Sequence, residues 1–226
     1  MDKFDSYFQT KYTERSQVNL FFDLLNNADE ETLMMSLDNC HIEGLTSIVL
    51  KKEADGSLLR AFLSQAHLSY NRVGELWEFG FHNHKYDIDI SLISGQVYNL
   101  TAKESFEGDP ASHQVYKYKF NSYIDGQKKV AQHSSANLKI LNSELLSTKP
   151  IHLSCDTLHT IYIPLYLEGS WFVKEGPKVR DYTDLYTNTQ SKMNYFSADD
   201  LYIKFKDVEQ IKNHCRTFFN GIIAYR

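Results

Sequence analysis

The chain has 226 residues, 42 % of them hydrophobic and 23 % charged, with a formal charge of -5 at neutral pH. That length can bury a substantial core. Basic residues occur singly or in pairs rather than in blocks, so no electrostatic footprint for a phosphate backbone exists and nucleic acid is excluded as a partner.

In chain order, residues 16–28 set Val18, Phe21, Phe22, Leu24 and Leu25 on one helical stripe. Asp29-Glu30-Glu31 then reads as the acidic first turn of a second short helix through Leu37. From about Leu45 the texture becomes β-rich. Ser47-Ile48-Val49-Leu50, a turn at Asp55-Gly56 and a return strand over 58–70 predict a hairpin. Further strands are expected over 75–84, 88–94, 96–103, 115–123, 151–153, 159–164 and 169–174. Turn signals at Gly95, Gly108-Asp109-Pro110, Asp125-Gly126 and Gly176-Pro177 separate them. So many short antiparallel strands point to a sandwich or barrel, in which closure manages the exposed edges.

The stretch 182–194 is polar and irregular. Val208, Ile211, Cys215, Phe218 and Phe219 then predict an amphipathic helix over 207–220, with Gly221 as its stop. Without an internal repeat or a flexible linker, the chain reads as one domain: a helical extension over 1–44, a β-barrel over 45–185 and a C-terminal segment over 186–226. Cys40, Cys155 and Cys215 are odd in number and widely spaced, which suits free thiols in a reducing compartment. The N-terminus lacks the apolar core of a signal peptide, and no run is long enough to cross a bilayer. The expectation is a soluble cytoplasmic protein without a membrane role, in which the sequon Asn99-Leu100-Thr101 is incidental.

The most informative residues are His82-Asn83-His84, at the end of the aromatic run Leu76-Trp77-Glu78-Phe79-Gly80-Phe81. Side chains alternate along a strand, so both imidazoles face one side and can reach one metal ion from a rigid backbone. Trp77, Phe79 and Phe81 then fall on the other face. Either the histidines point into a barrel and the aromatics need cover from the terminal helices or a partner subunit, or the aromatics form the core and the histidines face solvent. Parity alone leaves both open. A third histidine, His159, opens the apolar strand Ile161-Tyr162-Ile163-Pro164.

Together these residues resemble the first motif of the cupin superfamily, which has two histidines one residue apart, an acidic residue a few positions on and a glycine near the end of the next strand. Here they are His82, His84, Asp87 or Asp89, and Gly95, with His159 matching the further histidine of the second motif. The ending from His159 to Gly176-Pro177-Lys178-Val179-Arg180-Asp181 also looks like that of an uncharacterised bacterial cupin-like group. The resemblance covers residues 45–185 and implies a mainly β fold, a double-stranded β-helix or jelly-roll barrel with N- and C-terminal helices. Two departures stand out. Counted back from Gly95 the acidic position falls on Ile88, so Asp87 and Asp89 point away unless a bulge turns one inward, and the proline-glycine lead-in before His159 is missing.

Three imidazoles, or two with a carboxylate, suit a divalent transition metal and leave positions open for water, substrate or dioxygen, whereas structural zinc sites close all four. Iron heads the expectation, with nickel, manganese, copper and zinc compatible. The resemblance implies a small-molecule enzyme, foremost an iron-dependent oxygenase. The alternatives are a non-enzymatic barrel that binds or senses a small ligand, and an interaction protein that dimerises through the outward aromatics. Arg180 is a candidate clamp for a substrate carboxylate, weighed against an internal ion pair. Cys155 is read as a small buried thiol. No glycine-rich phosphate loop and no nucleophile elbow occurs.

Overall fold

The computed structural model describes residues 14–40, 44–64, 80–121, 130–164, 167–187 and 202–224. Among the described residues, three helices lie toward the two ends of the chain: α1 (Glu14–Asn27), α2 (Glu30–Leu33) and α3 (Val208–Ala224). Asp29 caps α2 by accepting from the Thr32 amide at 2.8 Å, and Asp207 caps α3 by accepting from the Gln210 amide at 2.7 Å. Each carboxylate satisfies a donor that the first helical turn leaves orphaned.

Between the helices the chain is mainly β and antiparallel. One sheet has seven strands: β1 (Leu37–Cys40), β2 (Leu45–Lys52), β3 (Leu58–Ser64), β5 (Ile88–Gly95), β9 (Ile151–Leu153), β11 (Gly169–Glu175) and β13 (Tyr202–Lys204), in the order β13-β1-β2-β3-β11-β5-β9. The other six strands are β4 (Phe81–His82), β6 (Tyr98–Ser105), β7 (His113–Asn121), β8 (Val130–Leu145), β10 (Leu158–Tyr162) and β12 (Tyr182–Thr187). They close on themselves as β10-β4-β12-β7-β8-β6. The expected architecture, a mainly β fold with a closed antiparallel barrel and terminal helices, is the one adopted.

Three apolar clusters hold these layers. Phe21 and Leu25 of α1 and Ile211, Cys215, Phe218 and Phe219 of α3 cover Ile48, Ala61, Leu63 and Phe172 on the outer face of the seven-stranded sheet. The opposite face of that sheet contributes Ile88, Ile90, Trp171 and Val173 to a second cluster with Ile161 of β10 and Val97, between the two sheets. The third, with Phe81, Leu100, Ala102, Val115, Leu138, Leu158 and Tyr186, belongs to the six closed strands. Burying a large aliphatic or aromatic side chain contributes roughly 1.5–3 kcal/mol each, so these clusters rather than surface pairs set the fold.

Several elements depart from the sequence expectation. Leu37 begins a strand instead of ending α2, because β1 is drawn into pairing with Ser47 and with β13. Strands β8, β12 and β13 went unpredicted; β8 carries few aromatic or β-branched residues and buries chiefly Leu138 and Ala136, a weak signal. Gly221 does not stop α3, since its missing side chain would meet open space and a helical glycine costs only about 1 kcal/mol. Of the run before His82, Trp77 and Phe79 lie outside the described residues, as do residues 65–70 of the return strand and residues 122–123 of the strand expected to end there.

Candidate metal centre

The cluster begins with Gly80. A side chain there would meet the Tyr186 carbonyl oxygen at 2.2 Å, so glycine lets β4 enter tightly beside β12. Asn83, buried between the two histidines, then extends that pairing with its side chain. Its Oδ1 accepts from the Asp184 amide at 2.7 Å, and its Nδ2 donates to Asp184 Oδ2 at 3.2 Å. The amide group imitates a backbone unit and keeps the residues on either side in register.

His159 arrives from β10, where it is the register partner of His82 and also pairs with Thr101 of β6. Partners across a strand pair share a face, so His82 and His159 point the same way, with Ile161 of the inter-sheet cluster. Phe81 faces the other way and is 1 % exposed among Val115, Leu138 and Tyr186. Of the three aromatics only Phe81 lies within the described residues. The closed barrel itself, not the terminal helices, buries Phe81.

The three imidazoles converge. Their ligand atoms lie within 4.8 Å of one another, so they could hold one metal ion. Ring centroids are 4.9 Å apart for His82 with His84, 4.9 Å for His82 with His159 and 5.0 Å for His84 with His159. His159 is 2 % exposed, while His82 and His84 are half-buried and leave the cluster open toward solvent. The Nδ1 of His159 donates to Asn99 Oδ1 at 2.8 Å, and the Nδ1 of His82 donates to the Gly80 carbonyl at 3.1 Å. Those bonds leave Nε2 of both rings as the acceptor, the tautomer a cation requires. Nε2 of His84 and Nε2 of His159 face each other at 2.7 Å. Two bare lone pairs would repel at that distance, so the pair either shares a proton or holds a cation.

Burial, and after it the neighbouring His82 and His84, push the His159 imidazole well below its ordinary value, so this ring stays neutral, the form in which an imidazole can ligate a cation. The donors fit a transition metal: three nitrogens, with an exposed side for further ligands.

Asp87 and Asp89 lie outside the cluster. Asp87 Oδ1 accepts from the Cys155 amide at 2.7 Å, while the Cys155 carbonyl accepts from the His84 amide at 3.3 Å. Asp87 thus fastens the turn that leads into His159. Asp89 pairs with His152 Nδ1 at 2.8 Å on the β5–β9 edge, where both are register partners and exposed. No bulge turns either one inward. Ile88, at the position of the motif's acid, is buried in the inter-sheet cluster, and its cross-strand partner is Glu175.

The Arg180 guanidinium is engaged within the chain, as the ion-pair alternative has it. Its Nε donates to the His84 carbonyl at 2.6 Å, Nη1 to Asp156 at 2.9 Å and Nη2 to the Cys155 carbonyl. Two backbone carbonyls and the Asp156 carboxylate thus share the guanidinium. The strap over 176–180 runs beside that turn, with the Gly176 amide on the Asp87 carbonyl at 2.9 Å and the Val179 amide on the Lys85 carbonyl at 2.7 Å. Cys155 is not among the ligands, and burial followed by the charge of Asp156 pushes its thiol up, so it stays protonated. None of the three cysteines is joined in a disulfide.

Sequence reasoning missed three supports: Asn83, Asn99 and Tyr86. Asn99 was noticed only as part of a sequon, yet it is 2 % exposed and engaged with His159. The Tyr86 ring stacks on His84 at 5.7 Å with 27° between planes. Burial, then the charge of Glu175, push the Tyr86 phenol well above its ordinary value.

No family model matches the chain, and no curated protein matches it. Among solved structures it is similar to a chain from the crystal structures of the DMSP lyases RdDddP and RnDddQII. That likeness has a TM-score of 0.30 and 9 % identity, over 61 % of this chain and 51 % of that one. The aligned part spans about half the length of the solved chain. No helix among the described residues is long and apolar enough to cross a membrane.

Proposed function

We propose that this chain is a cupin-type metalloprotein that binds one divalent transition metal through His82, His84 and His159 and acts on a small organic molecule there. The convergence of the three ligand atoms within 4.8 Å, from strands distant in sequence, supports this reading most directly. The specific form proposed is an iron-dependent oxygenase, whose metal would supply a site where substrate and dioxygen meet. In this reading Asn99 and Gly80 hold two of the rings in the ligating tautomer, Arg180 and Asp87 fix the turns that carry His84 and His159, and the half-buried side of the cluster admits the substrate.

The test has two stages. Purified protein should carry, or take up, one equivalent of metal per chain, and oxygen consumption should follow when iron-loaded protein meets a panel of small organic acids. Metal uptake with no turnover on any substrate, joined to ligand-dependent thermal stabilisation, would favour a binding or sensing protein instead. Absence of metal uptake would overturn the metalloprotein reading.

A further inference from the structure

The strand register carries the histidine face past the ligands. His82 pairs with His159, His159 with Thr101 of β6, and Thr101 with Asn142 of β8. Directly opposed residues of antiparallel strands share a face, so these four side chains form one row across β4, β10, β6 and β8. Asn99 marks which face this is, because its Oδ1 engages His159 Nδ1 at 2.8 Å. Alternation along β6 then adds Lys103 to the same face, with its register partner Lys139.

Along that face burial gives way to solvent. Asn99 is 2 % exposed, Thr101 is half-buried and Lys103 is exposed, so the face opens away from the inter-sheet core. Thr101 stands about 5 Å across the strands from His159, and Lys103 about 7 Å further along β6. Opposite this point the register of β8 slips: Thr101 pairs with Asn142 but Ala102 with Ile140, which leaves Leu141 as the extra residue of a bulge. A bulge bends its strand and re-aims the side chains beside it. The side chains of Thr101, Lys103 and Asn142 enter no hydrogen bond or ion pair among the described residues. By contrast Lys139 is held by Asp109 at 3.2 Å, and Arg180 by two carbonyls and Asp156.

We infer that Thr101, Asn142 and Lys103 form an outer subsite of the histidine cleft and hold the carboxylate of a small organic acid whose other end lies at His82, His84 and His159. The inference rests on the metal-centre reading and deepens it by naming the charge of the ligand and the residues that read it. Lys103 supplies a point charge, while the Thr101 hydroxyl and the Asn142 amide donate hydrogen bonds. Glu144 faces the same way on the far side of the Thr101–Asn142 row, opposite Asn99. The negative end of the ligand is therefore set toward Lys103 and away from Glu144.

Two probes test this: succinate, and monomethyl succinate, which keeps one carboxylate for a metal and masks the other. Binding is followed by calorimetry on zinc-loaded protein, and by the backbone amide signals of Thr101, Lys103 and Asn142 on metal-free protein. Wild-type protein should bind succinate about tenfold more tightly than the monoester, and succinate should shift those amide signals. Lys103→Met should erase the tenfold preference, Lys103→Arg should restore most of it, and Thr101→Val should weaken succinate severalfold. Side chains that merely coat the surface would give one succinate affinity in all four proteins. That result, or amide signals that stay in place in wild-type protein, would overturn the inference. If no zinc is taken up while the metal-free signals shift, and cease to shift in Lys103→Met, the metal-centre reading fails and the subsite stands. Zinc uptake with unmoved signals does the reverse.

Discussion

The chain builds the same trio of residue types twice, a cation, a glutamate and a tyrosine, in two different surroundings. Arg60, Glu175 and Tyr86 sit between the sheets, with the two charged side chains 19 % and 8 % exposed. Lys117, Glu104 and Tyr186 belong to the closed barrel. There Lys117 Nζ donates to Glu104 Oε1 at 2.6 Å, the Tyr186 hydroxyl donates to the same oxygen, and the charged side chains are 30 % and 50 % exposed. Hydrogen bonds from Lys117 and Tyr186 hold the Glu104 carboxyl below its ordinary value. Water screens the charged pair of the second trio, although its Tyr186 is buried in the barrel core. Less of it reaches the first, where each charge depends more on its partner. Exposure, more than composition, decides how much each glutamate matters to the fold.

The largest expected effect concerns the ligands themselves: His82→Ala combined with His84→Ala should lower metal affinity by at least about a hundredfold while far-UV circular dichroism stays unchanged. Retained stoichiometric metal would contradict a site built on this pair. Next come the two glutamates. Glu175→Leu leaves Arg60 buried without a counter-charge and should destabilise by about 3–5 kcal/mol, whereas Glu104→Leu should stay within about 1 kcal/mol. Equal losses in chemical denaturation would break the contrast between the trios.

A smaller change is expected from Asn99→Leu, which strands the His159 Nδ1 proton and should weaken zinc binding about tenfold, as competition titration would measure. Smallest is a pH effect at His214, which contacts Thr46 Oγ1 at 2.9 Å and packs on Phe205. Burial lowers its imidazole below the ordinary value of 6.5, with Asp38 opposing. The unfolded chain therefore binds the proton more readily. The stability from neutral His214 is complete above pH 6.5 and declines as pH falls below it. His214→Phe should flatten the melting temperature between pH 5 and 7.

What was legible in the sequence follows from range. The histidine pair was readable because strand parity is local, and His159 because it opens an apolar run. The hairpin at Asp55-Gly56 was readable too, and Gly56 takes the left-handed conformation, with φ of 86°, that such a turn favours. The Arg60–Glu175 pair was not readable, since its members come from separated stretches and meet only through the β3–β11 pairing. The contacts of Arg180 were not readable for a related reason: a lone arginine after Gly176-Pro177 says nothing about which carbonyls a turn presents to it. For Asp87 and Asp89, parity pointed away from the histidines, and the structure holds both on other partners.

The most direct test of the central claim is X-ray absorption spectroscopy of metal-loaded protein, which counts the imidazoles bound to the ion. The account predicts three imidazoles, no sulfur and no bidentate carboxylate. Two or fewer imidazoles, or a shell dominated by carboxylate, would contradict it.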